Sequence, residues 1–280
     1  MSQYGTGLGS LPASAAARNL RAAGSAAIRR VIRPGLLVVA LLAAAAGGAE
    51  APAAPQLLAA LRGKTIVLDP GHNPGNFAHP TEINREVNAG TLRKACDTTG
   101  TATAAGYTEA DFAFDVAVRT RRILRRLGAR VELTRGARSP AWGPCITERA
   151  AIGNRLRANV ALSIHADGGP STGRGFHVIY PAPVRGLTDD IAGASYVLAL
   201  KLRATYRVGT GIPYATYAGA GGLDARADLG GLNLSDVPKV FIETGNMRNV
   251  TDAALLGRPG FRQRIAQAIA NGLAGFLSRR

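Results

Sequence analysis

The sequence has no secure membrane span, only two cysteines and four histidines, and few acidic residues, 18 against 34 basic ones. Each shortage excludes something. The apolar run Leu36 to Ala46 (LLVVALLAAAA) has 11 residues, and a membrane-spanning helix needs about 18. Two cysteines, Cys96 and Cys145, cannot alone make a four-ligand structural zinc site. There is no HExxH, so the helical zinc-protease arrangement is excluded, and no GxGxxG stands between a strand and a helix to support a dinucleotide fold. Ser163, His165 and Asp167 alternate along one apolar stretch. Residues so spaced cannot face one another as nucleophile and base, so they make no catalytic triad. No internal repeat and no appended binding module is visible.

What remains is a globular, basic and exported chain. Its 280 residues suffice for one large α/β domain or two small ones, and a 46% hydrophobic content is normal for a packed core. The formal charge of +16 comes mostly from arginine. It suits a polyanionic partner, whether nucleic acid, anionic lipid or cell-wall polymer, or reflects an arginine bias alone. Arg29, Arg30 and Arg33 precede the apolar run, and Ala49-Glu50-Ala51 follows it as a small-x-small site. That is the pattern of a secretory signal peptide over residues 1–51, with an uncleaved anchor as the competing reading. Residues 52–61 read as a tether, and 62–280 as the mature domain, which stays strongly basic after cleavage. Export removes most of the case for a nucleic-acid partner. It also favours a Cys96–Cys145 disulfide over two buried thiols.

Along the mature domain, strands alternate with helices. Lys64 to Asp69, Arg130 to Thr134, Val160 to Ala166, Phe176 to Tyr180 and Lys239 to Glu243 read as strands. Helices are expected from Thr108, as N-cap, to Gly128, then over Ile146 to Ala158, Asp190 to Tyr206 and Gly260 to Leu277. Asn73 to Gly106 and Ala218 to Gly231 read as loops. The alternation predicts a single α/β domain whose central, mostly parallel mixed sheet carries helices on both faces.

Ligands of such sheets gather outside the carboxyl ends of the strands. His72 follows the first strand (IVLDPGH), His165 closes VALSIHA, Glu243 closes KVFIE, and Glu109 opens the helix after Thr108. Two imidazoles and a carboxylate form a usual catalytic zinc set with one open position, and a second carboxylate would move the proton. Blander roles fit the same residues: a turn histidine, a strand-end histidine bonded to backbone, a favourable anion in a first helical turn. Position alone does not decide which carboxylate would do which task. Of the other two histidines, His79 is expected at the surface and His177 is a minor candidate for a pocket wall.

The ordered segments DPGH (69 to 72), TEADFAFDVA (108 to 117), LGARVELTR (127 to 135), ERAAIGN (148 to 154), SIHAD (163 to 167) and VPKVFIETGNMRN (237 to 249) carry a resemblance. Together they resemble the zinc-dependent N-acetylmuramoyl-L-alanine amidases of the amidase_3 type, over about 62 to 278. The likeness is strongest to the mycobacterial-type members without a separate wall-binding domain. It implies a Zn2+ ion held by His72, Glu109 and His165, with Glu243 as the catalytic acid/base. The reaction implied is cleavage of the amide between N-acetylmuramic acid and L-alanine in peptidoglycan or its muropeptide fragments. The enzyme would work outside the cytoplasm, in the periplasm or cell wall or as a secreted protein, without an obligate protein partner. Glu82 and Glu86 in the long loop are rivals to Glu109 for the metal. Arg135, Arg226, Arg248 and Asn249 are expected to bind substrate. Asp167, Thr244 and Asn246 to Arg248 depart from the usual family pattern beside the site. An exported zinc hydrolase of another amide, or a silent peptidoglycan-binding domain, is the competing function.

Overall fold

Thr65–Pro70 (β1) is β-branched and apolar, and from Ile66 onward every residue is buried, as expected for an interior parallel strand. A computed structural model describes residues 60–278; the expected signal peptide and all but the end of the tether lie outside the described residues. Around β1 are built β4 (Arg130–Leu133), β5 (Val160–Asp167), β6 (His177–Pro181), β7 (Leu223–Arg226) and β8 (Lys239–Asn246), in the order β4-β1-β5-β8-β6-β7. β4, β1, β5 and β8 run parallel, and β6 and β7, parallel to each other, run antiparallel to them. A separate hairpin pairs β2 (Glu86–Asn88) with β3 (Arg93–Ala95).

Helices cover both faces of the sheet, the long ones together. The α-helices are α1 (Pro80–Asn84), α2 (Glu109–Arg126), α3 (Ile146–Arg155), α4 (Ala192–Thr210), α5 (Gly230–Asn233), α6 (Val250–Leu256) and α7 (Pro259–Leu277). Residues 66, 68, 162, 164, 240 and 242 of the sheet share the main core with Phe112 and Val116 of α2, Leu198 and Leu202 of α4, and Ile265, Ile269 and Leu273 of α7. The spacing of four along α7 is the stripe that a helix presents to a sheet. Val67 and Ala161, which point the other way, join a small second cluster with Ile152 of α3. Thr108 caps α2 as expected, its hydroxyl accepting from the Asp111 amide.

Four expectations need correction. Residues 73–106 are not a structureless excursion: they hold a 3₁₀ turn at Asn76–Ala78, α1 and the β2–β3 hairpin. A disulfide joins Cys96 to Cys145, and Asn76 ties the segment down by donating to Thr98 O and accepting from the Gly143 amide. β7 and α5 occupy the second supposed loop; β7 is a sheet edge of mixed exposure, so it shows no buried period. α6 was not anticipated. Leu61, at the end of the expected tether, is fully buried and its amide donates to Leu127 O, so packing begins by that residue.

Candidate metal centre and active-site groove

The turn after β1 places the first donor. His72 has φ +53, a left-handed conformation in which histidine is several-fold enriched among non-glycine residues but remains uncommon. Two buried guanidinium groups hold it there. Arg149 of α3 donates to Pro70 O (2.8 Å) and His72 O (3.0 Å), while Arg135 donates to Pro70 O (3.2 Å) and Gly71 O (2.9 Å). Arg149 also meets Asp69 (2.8 Å) and Asp97 (2.9 Å). Asp69 further accepts from Thr134 and Ser163 and lies 3.4 Å from Lys239. Burial alone would raise the Asp69 carboxyl, but Lys239, Arg149 and the two hydroxyls hold it far below the carboxylate range. The turn thus stands on a buried network of opposite charges.

The donors converge from three elements. His72 Nε2 lies 3.2 Å from Glu109 Oε2, and His165 Nδ1 lies 2.8 Å from Glu109 Oε1. Donor atoms of all three residues lie within 4.8 Å of one another. Tetrahedral ligands about 2.05 Å from zinc would stand roughly 3.3 Å apart, close to the two Glu109–histidine separations, so the donor set suits such an ion. Glu109 also accepts from the Thr101 and Ala166 amides. Despite burial, the His72 and His165 imidazoles keep its carboxyl well below its ordinary value. His72 Nδ1 is 3.0 Å from both Thr98 oxygens, an outer contact that leaves Nε2 for an ion. Burial opposes the charged form of His72, yet Glu109 and Asp97 raise its pKa overall.

Glycine is required at two approaches. A Cβ at Gly71 would overlap the His165 ring; one at Gly100 (φ +75) would stand 2.7 Å from His72 and 2.9 Å from Glu109. The His165 ring stacks on Phe241, with centroids 5.3 Å apart and planes 6° from parallel. Glu243 is paired in register with His165 on one side and His177 on the other, so the three side chains share one face. Glu243 Oε2 is buried and has no hydrogen-bond partner. Burial, then the nearby Glu109 and Asp167, push its carboxyl well above the ordinary value. All these groups line one cavity of about 570 Å³.

The other expected site residues separate. Glu82 pairs with His79 and Glu86 with Arg93, and neither reaches the cavity, so Glu109 is the carboxylate at the centre. His79 is half-buried near Trp142 rather than exposed. Arg226 lines the cavity but is already held by Asp228 (2.6 Å) and Asp224 (3.5 Å). Arg135 does not line the cavity: it is 3% exposed, and its guanidinium is spent on backbone carbonyls. Nor does Asn249, which caps α6 by accepting from the Thr251 and Asp252 amides and donates to Ser171 O. Arg248 is exposed and lines a neighbouring cavity with Phe77 and Gly100. Thr244 and Asn246 brace the backbone by donating to His165 O and to the Pro170 and Gly173 carbonyls. The roles of Asp97, Arg149 and Phe241 had no local signal, because each depends on contacts far away in sequence. Of these, Arg149, inside ERAAIGN, and Phe241, inside VPKVFIETGNMRN, lay within segments already singled out.

Comparisons with known proteins match most of the described domain. The family model described as N-acetylmuramoyl-L-alanine amidase, Amidase_3, matches residues 66–275. N-acetylmuramoyl-L-alanine amidase Rv3717 of Mycobacterium tuberculosis is 42% identical over 245 residues, which cover 87% of this chain and 96% of that protein. The crystal structure of the amidase Ami1 from Mycobacterium smegmatis superposes with a TM-score of 0.73 at 45% identity, covering 79% of this chain and 99% of the other. Apo Ami1 from Mycobacterium abscessus gives 0.72 at 41%, over 78% and 100%.

Proposed function

The chain belongs to the Amidase_3 family of N-acetylmuramoyl-L-alanine amidases, and from that membership we propose that it cleaves the N-acetylmuramic acid to L-alanine amide of peptidoglycan with a zinc ion held by His72, Glu109 and His165. The observation that carries this reading is the convergence of three donor atoms beside the unpartnered carboxylate oxygen of Glu243. A zinc ion in such a set supplies Lewis acidity to the scissile carbonyl and acidifies a water towards neutral pH.

The chain's own residues do the rest. Glu243 takes the proton of the attacking water and returns it to the departing alanine nitrogen. Its place in register beside His165, with Oε2 left unpartnered, suits this task. Phe241 fixes the plane of His165, and Arg149 and Arg135 fix the turn that carries His72. Arg226, and Arg248 from the neighbouring cavity, are the cations placed to meet stem-peptide carboxylates or wall polymer.

Export through a signal peptide at 1–51 and action in the periplasm or cell wall complete the proposal. The basic composition supports it, since wall polymers are anionic; no helix among the described residues is long and apolar enough to cross a membrane. Mass spectrometry of digested peptidoglycan tests the reaction. Intact glycan strands with peptides beginning in L-alanine are expected, lost with chelator and restored by zinc. Cuts inside the stem, or turnover indifferent to chelation, would refute it.

A further inference from the structure

The proposed mechanism leaves one buried imidazole of the groove unused. His177 lies directly across from Glu243 in the β6–β8 pair, on the side away from His165, and lines the same cavity. It is 3% exposed, and its Nδ1 is buried with no hydrogen-bond partner. Tyr217 packs edge-on against it, ring centroids 6.2 Å apart, and so restricts the ring. Tyr217 is itself wedged where side chains at Gly169 and Gly173 would come within 2.6 and 2.7 Å of it. A ring so fixed, with Nδ1 enclosed by protein, can meet a ligand of the cavity only through Nε2.

The order across the sheet gives the ligand a direction. The metal set stands at His165, Glu243 is one strand further, and His177 is a second strand further, each step about 4.8 Å. A scissile carbonyl at the metal set and a leaving nitrogen at Glu243 send the peptide portion across His177. An unpartnered buried N–H is rarer than an unpartnered acceptor, so the proton belongs on Nε2 and Nδ1 keeps its lone pair. Burial lowers the pKa of His177, which keeps the ring neutral at pH 7.

We propose that His177 is a peptide-binding residue of the groove, donating from Nε2 to a backbone carbonyl of the stem peptide just past the cleaved amide. This rests on the assignment of Glu243 as the group that protonates the leaving nitrogen. It places the glycan on the opposite side, toward His72.

The test titrates a synthetic peptide beginning with L-alanine into the zinc-loaded protein and its variants by calorimetry, with steady-state kinetics on peptidoglycan fragments alongside. H177A should weaken peptide binding roughly threefold to tenfold, the worth of one hydrogen bond. KM should rise by the same factor while kcat stays within about twofold. H177Q, whose side-chain amide reaches the Nε2 position, should bind like wild type; H177N, which reaches only the Nδ1 position, should behave like H177A. If H177A does not fold, the glutamine and asparagine pair carries the test. Unchanged peptide affinity in H177N, or a loss in kcat alone, would overturn the role of His177. Because the titration needs no turnover, a failed cleavage assay would count against the proposed reaction instead.

Discussion

Replacing Arg149 by leucine should destabilise the fold and weaken the metal site together. The guanidinium bridges Asp69 at 2.8 Å and Asp97 at 2.9 Å, and the side chains of all three residues are at most 6% exposed. Removing one member of a buried ion pair costs about 3–5 kcal/mol, because a carboxylate is left uncompensated. Asp69 keeps Lys239 and two hydroxyl donors, which argues for the lower end, about 3 kcal/mol. In a domain of this size that lowers Tm by roughly 6–12 °C, read by calorimetry. The His72 carbonyl loses its 3.0 Å donor as well, and losing an orienting contact of this kind costs about 10- to 100-fold in metal affinity. A pH series adds a sign. The depressed Asp69 pKa stabilises the folded state above the unfolded value near 4 and is lost as pH falls below it. With Arg149 gone the depression shrinks, so acid unfolding should begin at higher pH. A Tm within 2 °C of wild type together with unchanged zinc affinity would refute the reasoning.

Glu243→Gln should bind zinc at the wild-type stoichiometry, measured by atomic absorption, while kcat falls about 10²- to 10⁴-fold, the usual worth of a positioned proton carrier. Gly71→Ala puts a methyl group where the His165 ring lies, so chelator competition should show zinc held at least about tenfold more weakly in a folded protein. Replacing Cys96 and Cys145 together by serine opens a closure of 49 residues, and denaturant unfolding should report a loss of about 4 kcal/mol on the chain-entropy estimate.

The readable parts of the sequence were those whose cause is local. β1 and β5 show as apolar runs, α2 as a capped stripe, and His72, His165, Glu109 and Glu243 as polar residues at the ends of such elements. The unreadable parts are held by distant partners. The β2–β3 segment buries only a few side chains and is tied down through Cys145 and the Gly143 amide, about 50 residues further on. The packing of Arg135 is hidden for the same reason. An arginine after a strand looks like a substrate cation until the carbonyls of residues 70, 71 and 110 are seen around it. Asn249 did carry a local signal, since Asn-Val-Thr-Asp is a helix start. Its expected substrate role concealed its capping role.

The two faces of the sheet explain why the chemistry is legible at all. In the central strands one set of alternate residues, Ile66, Leu68, Leu162, Ile164, Val240 and Ile242, packs into the helical core. The opposite set includes Asp69, Ser163, His165, Phe241 and Glu243, and His177 joins it across the antiparallel β6–β8 pair. A shift of one residue between β5 and β8 would put Glu243 into the core and Ile242 into the groove, at a cost no metal contact could offset. The apolar face therefore sets the register, and the register sets the spacing of His165, Glu243 and His177. Only at the strand ends is the pattern relaxed: the β5–β8 pairing shifts between His165 and Asp167, immediately after the last proposed ligand. The irregularity lies where the sheet gives way to the groove, so it leaves the aligned pair of His165 and Glu243 undisturbed.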